Sequence, residues 1–209
     1  MTPEPAAAHQ TRSGRVVGWL PRAIVVVVAS FAIGCLESWA QGVLPDAVRP
    51  LSNSASGWTL VTALLVFWSR ATPRIAAVLG ALSFVLLVVG YSAMSTARGF
   101  AYSPVTWGLI GVVVGPFVGV AAAWLHSRGY RAALGGGLLA GIGIGEGVYG
   151  LTSIADTTGV AYWIAVIVLG IALLGSLVYR RVRGVGPVVL LIGATVATAI
   201  VLVVVMRLV

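Results

Sequence analysis

The chain has 209 residues, of which 59% are hydrophobic and only 9% are charged, and its mean hydropathy is +1.05. Soluble domains carry roughly 25% charged residues, so this composition excludes an ordinary soluble protein and predicts a polytopic membrane protein. The net charge of +8 comes from arginines scattered between apolar runs, which argues against a nucleic-acid-binding surface.

Seven apolar runs are long enough to cross a bilayer. We predict spans at 17–36, 50–69, 75–94, 106–126, 132–153, 160–179 and 186–206, which form an all-α bundle of seven transmembrane helices, with a bundle of six left open. The polar residues 1–16 predict a disordered cytoplasmic tail, and 17–209 a single polytopic membrane domain. A cleaved signal peptide is the alternative for the N-terminus, because Ser38-Trp39-Ala40 resembles a cleavage site.

The arginines predict the orientation, because cytoplasmic loops of membrane proteins hold an excess of them. With the N-terminus in the cytoplasm, ten arginines fall inside and only Arg49, Arg98 and Arg207 fall outside. All seven tryptophans lie near a predicted span end, where aromatic rings favour the headgroup level. These features indicate a multi-pass protein of the bacterial plasma membrane in contact with the lipid bilayer.

The second span is unusual because Trp58 and Trp68 are only ten residues apart, or about 15 Å of helix. The span must begin well before Trp58 to cross a hydrocarbon core of roughly 30 Å. Polar residues of 51–57, including Asn53, then lie in the outer half of the membrane. Two interpretations stay open: a short helix covered by its neighbours, or the wall of a cavity.

Residues 135–150 hold eight glycines around Glu146 and include a G-x-G-x-x-G match at 145–150. No strand precedes this match, so we interpret it as a packed helix rather than a dinucleotide loop. Glycines spaced by four residues let membrane helices approach closely. The predicted packing residues are Gly137, Gly141 and Gly145 in this span and Gly111, Gly115 and Gly119 in the fourth span.

Glu146 lies about 21 Å above the cytoplasmic start of its predicted span, in the outer half of the membrane. A charged group at such depth costs on the order of 2.5–3.5 kcal/mol and marks a candidate functional site. Two structural alternatives are a protonated side chain bonded to a neighbouring helix and a shallow side chain that reaches headgroup water. The predicted substrate-binding residues at this level are Glu146, Asn53, Tyr91, Glu37 and Trp107.

The sequence offers little for catalysis or metal binding. Its two histidines, His9 and His126, fall in the tail and in an inner loop, and no catalytic signature is present. We therefore predict no metal, no cofactor and no enzymatic activity.

Short motifs at Asn53-Ser54 with Trp58, at Gly90-Tyr91, at Gly115-Pro116 and at Glu146 carry a resemblance across residues 25–178. In these the chain resembles a family of small actinobacterial multi-pass membrane proteins with no assigned function. Its size and outer-half pocket are also similar to those of the substrate-binding subunits of energy-coupling-factor vitamin transporters. Those subunits typically have six spans and an Ala-x-x-x-Ala contact, for which Ser30-x-x-x-Gly34 is the nearest equivalent here.

Two functions follow from these observations. The first is binding or transport of a small solute through an outer-half polar pocket around Glu146. The second is a non-transporting scaffold or accessory subunit whose glycine faces pack on a partner membrane protein.

Overall fold

A computed structural model describes residues 20–208, and it places them in a bundle of helices. The elements are α1 (Leu20–Ala40), a 3-10 turn (Arg49–Asn53), α2 (Ala55–Ser69), α3 (Pro73–Ala97), α4 (Val105–Trp124), α5 (Tyr130–Tyr149), a π-helical turn (Gly150–Ile154), α6 (Ala155–Thr158), α7 (Ala161–Arg180) and α8 (Val185–Met206). No strand occurs in this part of the chain. The predicted all-α membrane bundle is confirmed, while the predicted tail at 1–16 lies outside the described residues.

Among the described residues, six segments are long and apolar enough to cross a membrane: α1, α3, α4, α5 continued through α6, α7 and α8. The apolar helix α2 is too short to be one of them. Its 15 residues rise about 22 Å, less than the roughly 30 Å of a hydrocarbon core. The predicted span at 50–69 therefore begins as an α-helix five residues late. The cause is local: Pro50 opens a 3-10 turn, and Ser54 is extended, with φ −139° and ψ 154°.

The short helix α2 lies in the middle of the bundle, where it contacts α1, α3, α4 and α5. Around it, α3 packs between α1 and α4, and α5 packs between α7 and α8. Among the long helices, α8 packs mainly against α5 and is the least buried of the six candidate spans. The short helix α2 therefore packs among four of the six long helices.

The two glycine stripes face different partners. On α4, a Cβ atom added at Gly115 would lie 2.7 Å from the Cα of Ala81 on α3. On α5, one added at Gly145 would lie 2.8 Å from the Cα of Ala199 on α8, and Gly137 and Gly141 face the same helix. Gly111 and Gly119 also face α3, against Phe84 and the Ala76 carbonyl. Each stripe thus lies where two helix backbones approach closely.

Serine pairs join α1 to α3 inside the bundle. The hydroxyl oxygens of Ser30 and Ser83 are 2.8 Å apart, as are those of Ser38 and Ser95. All four side chains are buried. Hydrogen bonds of this kind hold membrane helices together where water does not compete.

Two of the tryptophans are buried within the protein. Trp39 and Trp68 are 54% and 51% exposed, as an interface ring requires, but Trp58 and Trp163 are only 0% and 3% exposed. The interface interpretation was wrong for this second pair, because their rings pack against other parts of the protein.

Candidate functional site

The candidate site lies at the first turn of α2. Glu146 of α5 caps this turn. The backbone N–H of Ala55 donates to Oε1 of Glu146 at 2.8 Å, and that of Ser56 donates to Oε2 at 2.6 Å. The N–H of Gly57 donates to the Ser54 hydroxyl at 3.0 Å. All three amides at the free end of the helix therefore have a partner.

This arrangement satisfies the start of α2 without water. The first amides of a helix have no intrahelical acceptor, and water does not reach them in hydrocarbon. A carboxylate also interacts favourably with the positive end of the helix dipole. Glu146 is 2% exposed and supplies both acceptors from α5, so α2 begins at a protein-lined position.

Tyr162 of α7 completes the polar cluster around this cap. Its hydroxyl oxygen lies 2.7 Å from the Ser54 hydroxyl and 3.0 Å from the Ser56 hydroxyl. The ring is 6% exposed and packs edge-on against Trp163. Three helices, α2, α5 and α7, therefore meet at one hydrogen-bonded network.

One turn further along α2, Trp58 is the centre of an aromatic cluster. Its ring makes edge-on contacts with Phe84 at 6.0 Å, Tyr91 at 6.0 Å and Trp107 at 5.3 Å between centroids. The Glu37 carboxyl group lies beside the Trp58 indole. This cluster brings together three of the five predicted binding residues, namely Glu37, Tyr91 and Trp107.

Three buried polar atoms of residues 20–208 have no hydrogen-bond partner: Glu37 Oε2, Trp58 Nε1 and the Tyr102 hydroxyl. All three belong to this aromatic cluster or pack against it. Tyr102 lies in the α3–α4 loop, where burial and the nearby Tyr91 raise its pKa to about 12, so its hydroxyl stays neutral at pH 7. Tyr91 itself donates to Gln41 Oε1 at 2.5 Å.

Asn53, the fifth predicted binding residue, lies apart from the aromatic cluster. It is exposed and lines a polar cleft of about 190 Å³ with Gln41, Asp46 and Arg49. Arg49 also forms an ion pair with Asp46 at 2.7 Å. The predicted single pocket is thus divided into a polar cleft, a helix cap and an aromatic cluster.

A larger cavity of about 470 Å³ lies on the other side of the α2 start. Its lining comes from five helices: Ala55, Thr59, Phe84, Trp107, Ile110, Val114, Phe117, Leu138, Ile142, Tyr149, Thr198, Val201, Leu202, Val205 and Met206. Almost every side chain is apolar. The lining residues Phe117 of α4 and Val201 of α8 are both 61% exposed, so the cavity opens sideways between these helices.

The described residues hold no group of three or more His, Cys, Asp and Glu side chains that could bind a metal ion. The geometry around α2 is instead that of a binding cavity beside a buried polar network. Its two carboxyl groups, the half-buried Glu37 and the buried Glu146, belong to separate parts of that network.

A family model described as a family of unknown function, DUF6518, matches residues 13–209. The chain belongs to this family. No curated protein and no solved structure matches it, so the actinobacterial origin and the similarity to energy-coupling-factor subunits stay predictions. Membership of DUF6518 assigns no ligand, and any function must come from the geometry.

Sequence reasoning missed several residues of the network. Trp58 was interpreted as an interface ring, although it is the centre of the aromatic cluster. The sequence marks Ser54 and Ser56 only as polar residues. Nothing in it links them to Tyr162, which lies 108 residues after Ser54 in the chain. The Ser54-x-x-Gly57 spacing was the one available sign of a helix cap.

Proposed function

We propose that this protein binds a small hydrophobic or amphipathic molecule in the cavity between α4 and α8. The observation that carries the proposal is the cavity itself, since its volume of about 470 Å³ falls in the range of roughly 300–1,000 Å³ typical of small-molecule sites. Such a ligand enters from the bilayer rather than from water.

The chemistry of the wall selects the ligand class. Side chains such as Ile110, Ile142 and Leu202 favour an apolar body. The hydroxyl groups of Thr59, Tyr149 and Thr198 and the indole N–H of Trp107 are the polar groups among the lining side chains. A ligand with an apolar body and one hydrogen-bonding group matches this wall better than an ion or a sugar does.

The predicted binding residues have different parts in this proposal. Trp107 lines the cavity, and its ring packs edge-on against Trp58. Glu146 holds Ala55, a lining residue, in place and is a positioning residue for the site. Glu37 and Tyr91 contact Trp58 and do not line the cavity. Asn53 lines the separate polar cleft.

A bulky side chain inside the cavity should abolish binding. Val114 lines the cavity and is partly buried, whereas its neighbour Val113 is 64% exposed on the lipid side of α4. We expect Val114→Trp to lose at least 90% of the small molecule that the wild-type protein retains through purification. Val113→Trp should keep it, because the same ring then projects into lipid.

The measurement is native mass spectrometry of the full chain released from detergent, with solvent extracts of the same samples analysed in parallel. A wild-type protein that retains no molecule after incubation with membrane extract contradicts the proposal. An equal amount of ligand in Val114→Trp and in the wild type also contradicts it, provided that Val114→Trp and Val113→Trp unfold at the wild-type temperature.

One observation favours the scaffold function as a second candidate. Gly193 and Ala197 are exposed at a spacing of four residues on α8, and a Cβ added at Gly193 would contact nothing. A partner helix can pack closely on such a surface. If the protein is a scaffold, Gly193→Leu should remove a partner subunit that copurifies with the wild type, while ligand retention in the cavity stays unchanged.

A further inference from the structure

We propose that the face of the bundle opposite the α2 start carries a binding pocket for a phosphate group. Two links between helices form it: 125–129, between α4 and α5, and 181–184, between α7 and α8. Arg128, Gly129, Arg180, Arg181 and Arg183 line a pocket of about 210 Å³. This site is independent of the cavity between α4 and α8.

The backbone fixes the two links to each other. The N–H of Gly129 donates to the Arg181 carbonyl at 3.0 Å, and Arg181 Nη1 donates to the His126 carbonyl at 3.0 Å. The His126 ring stacks on Phe67 with 4.0 Å between centroids, and its Nε2 lies 2.9 Å from the Phe67 carbonyl. The pocket is therefore held in shape by contacts with α2 rather than formed by free loops.

The charge of the pocket has no acidic counterpart. The only ion pair of residues 20–208 joins Arg49 to Asp46, which lie in the link between α1 and α2. The four arginines that line this pocket carry like charges, and an anion bound among them reduces their repulsion. Guanidinium forks match the oxygens of a phosphate and bind it with two parallel hydrogen bonds.

The position points to the headgroup region of the membrane. Arg180 ends α7, and α8 begins at Val185, two residues after Arg183, with no side chain capping its first turn. Phosphate is favoured at such a helix start. A lipid headgroup and a free phosphate ion offer the same chemistry here, and basic pockets at this level are known to bind anionic headgroups.

The experiment measures binding to the full-length protein in neutral detergent by its thermal unfolding temperature. One arm adds phosphatidylglycerol and compares it with phosphatidylcholine; the other adds sodium phosphate and compares it with sodium chloride at equal ionic strength. We expect Arg180→Gln/Arg183→Gln to bind the stabilising phosphate compound at least tenfold more weakly than wild type. Both side chains are exposed, so the variant should fold, and its unfolding temperature without additive checks this.

The matched control is Arg22→Gln/Arg74→Gln, which removes the same charge from exposed positions of α1 and α3 outside the pocket. It should bind like wild type. Selective stabilisation by phosphatidylglycerol identifies a lipid headgroup, and stabilisation by sodium phosphate identifies a soluble ligand. Equal losses in the pocket and control variants overturn the proposal, as does a wild-type protein that neither phosphate compound stabilises beyond its comparison additive.

Discussion

Replacing Glu146 by alanine should lower the free energy of unfolding by about 2–6 kcal/mol, because two buried N–H groups lose their acceptor at about 1–3 kcal/mol each. These are the amides of Ala55 and Ser56. Glu146→Gln keeps one oxygen acceptor and should lose about half as much. Thermal unfolding in detergent measures the change, and hydrogen exchange shows whether protection is lost at these two amides.

The matched control for Glu146→Gln is Glu37→Gln, the same chemical change at a half-buried carboxyl group. Oε2 of Glu37 has no hydrogen-bond partner among residues 20–208, and a glutamine keeps one oxygen that can lie beside the Trp58 indole, so this variant should unfold close to the wild-type temperature. An unchanged unfolding temperature in Glu146→Ala would show that the cap does not stabilise α2. Reduced ligand retention without any loss of stability would instead indicate that Glu146 touches the ligand.

Gly119→Ala should destabilise the protein as strongly as the loss of the cap, or prevent its folding. The added methyl group would collide with the backbone carbonyl of Ala76, which cannot rotate away as a side chain can. Overpacking typically costs about 1–3 kcal/mol even where side chains can move. We therefore expect α3 and α4 to separate and the unfolding temperature to fall.

Gly108→Ala on the same helix is the control for this prediction. A Cβ at Gly108 would meet nothing within 4 Å, so this variant should be neutral or more stable by up to about 1 kcal/mol from helix propensity. The comparison isolates the steric effect, because the two substitutions are chemically identical. If both variants unfold at the same temperature, the close approach at Gly119 is not a constraint on the fold.

The long helices could be predicted because each one is an apolar run of sufficient length to cross a bilayer. Six of the seven predicted spans agree with the described helices to within four residues. The second span differs because the sequence gives the polarity of 51–57 but not the residue that satisfies its backbone. Glu146 was recognisable as an acidic residue within an apolar helix, whereas its partners were not, since they are backbone amides and leave no mark in the side-chain pattern.

The candidate site was only partly predictable for a related reason. Glu37, Tyr91 and Trp107 do come together, but around Trp58, whose amphipathic ring suits both a membrane interface and a core. The large cavity has no sequence signature, because it depends on how side chains of five helices leave a space between them. The position of the cavity therefore depends on packing between distant segments, which hydrophobic periodicity does not describe.

The cap on α2 also constrains how the chain is made. Glu146 follows Ser56 by 90 positions, and α3 and α4 lie between them. At a synthesis rate of about 5–20 residues per second, the acceptor is made roughly 5–20 s after the helix that needs it. During that interval the amides of Ala55 and Ser56 lack the acceptor that they have in the folded protein. The cap on α2 can therefore form only after α5 has been made, later than any contact between α2 and α3 or α4.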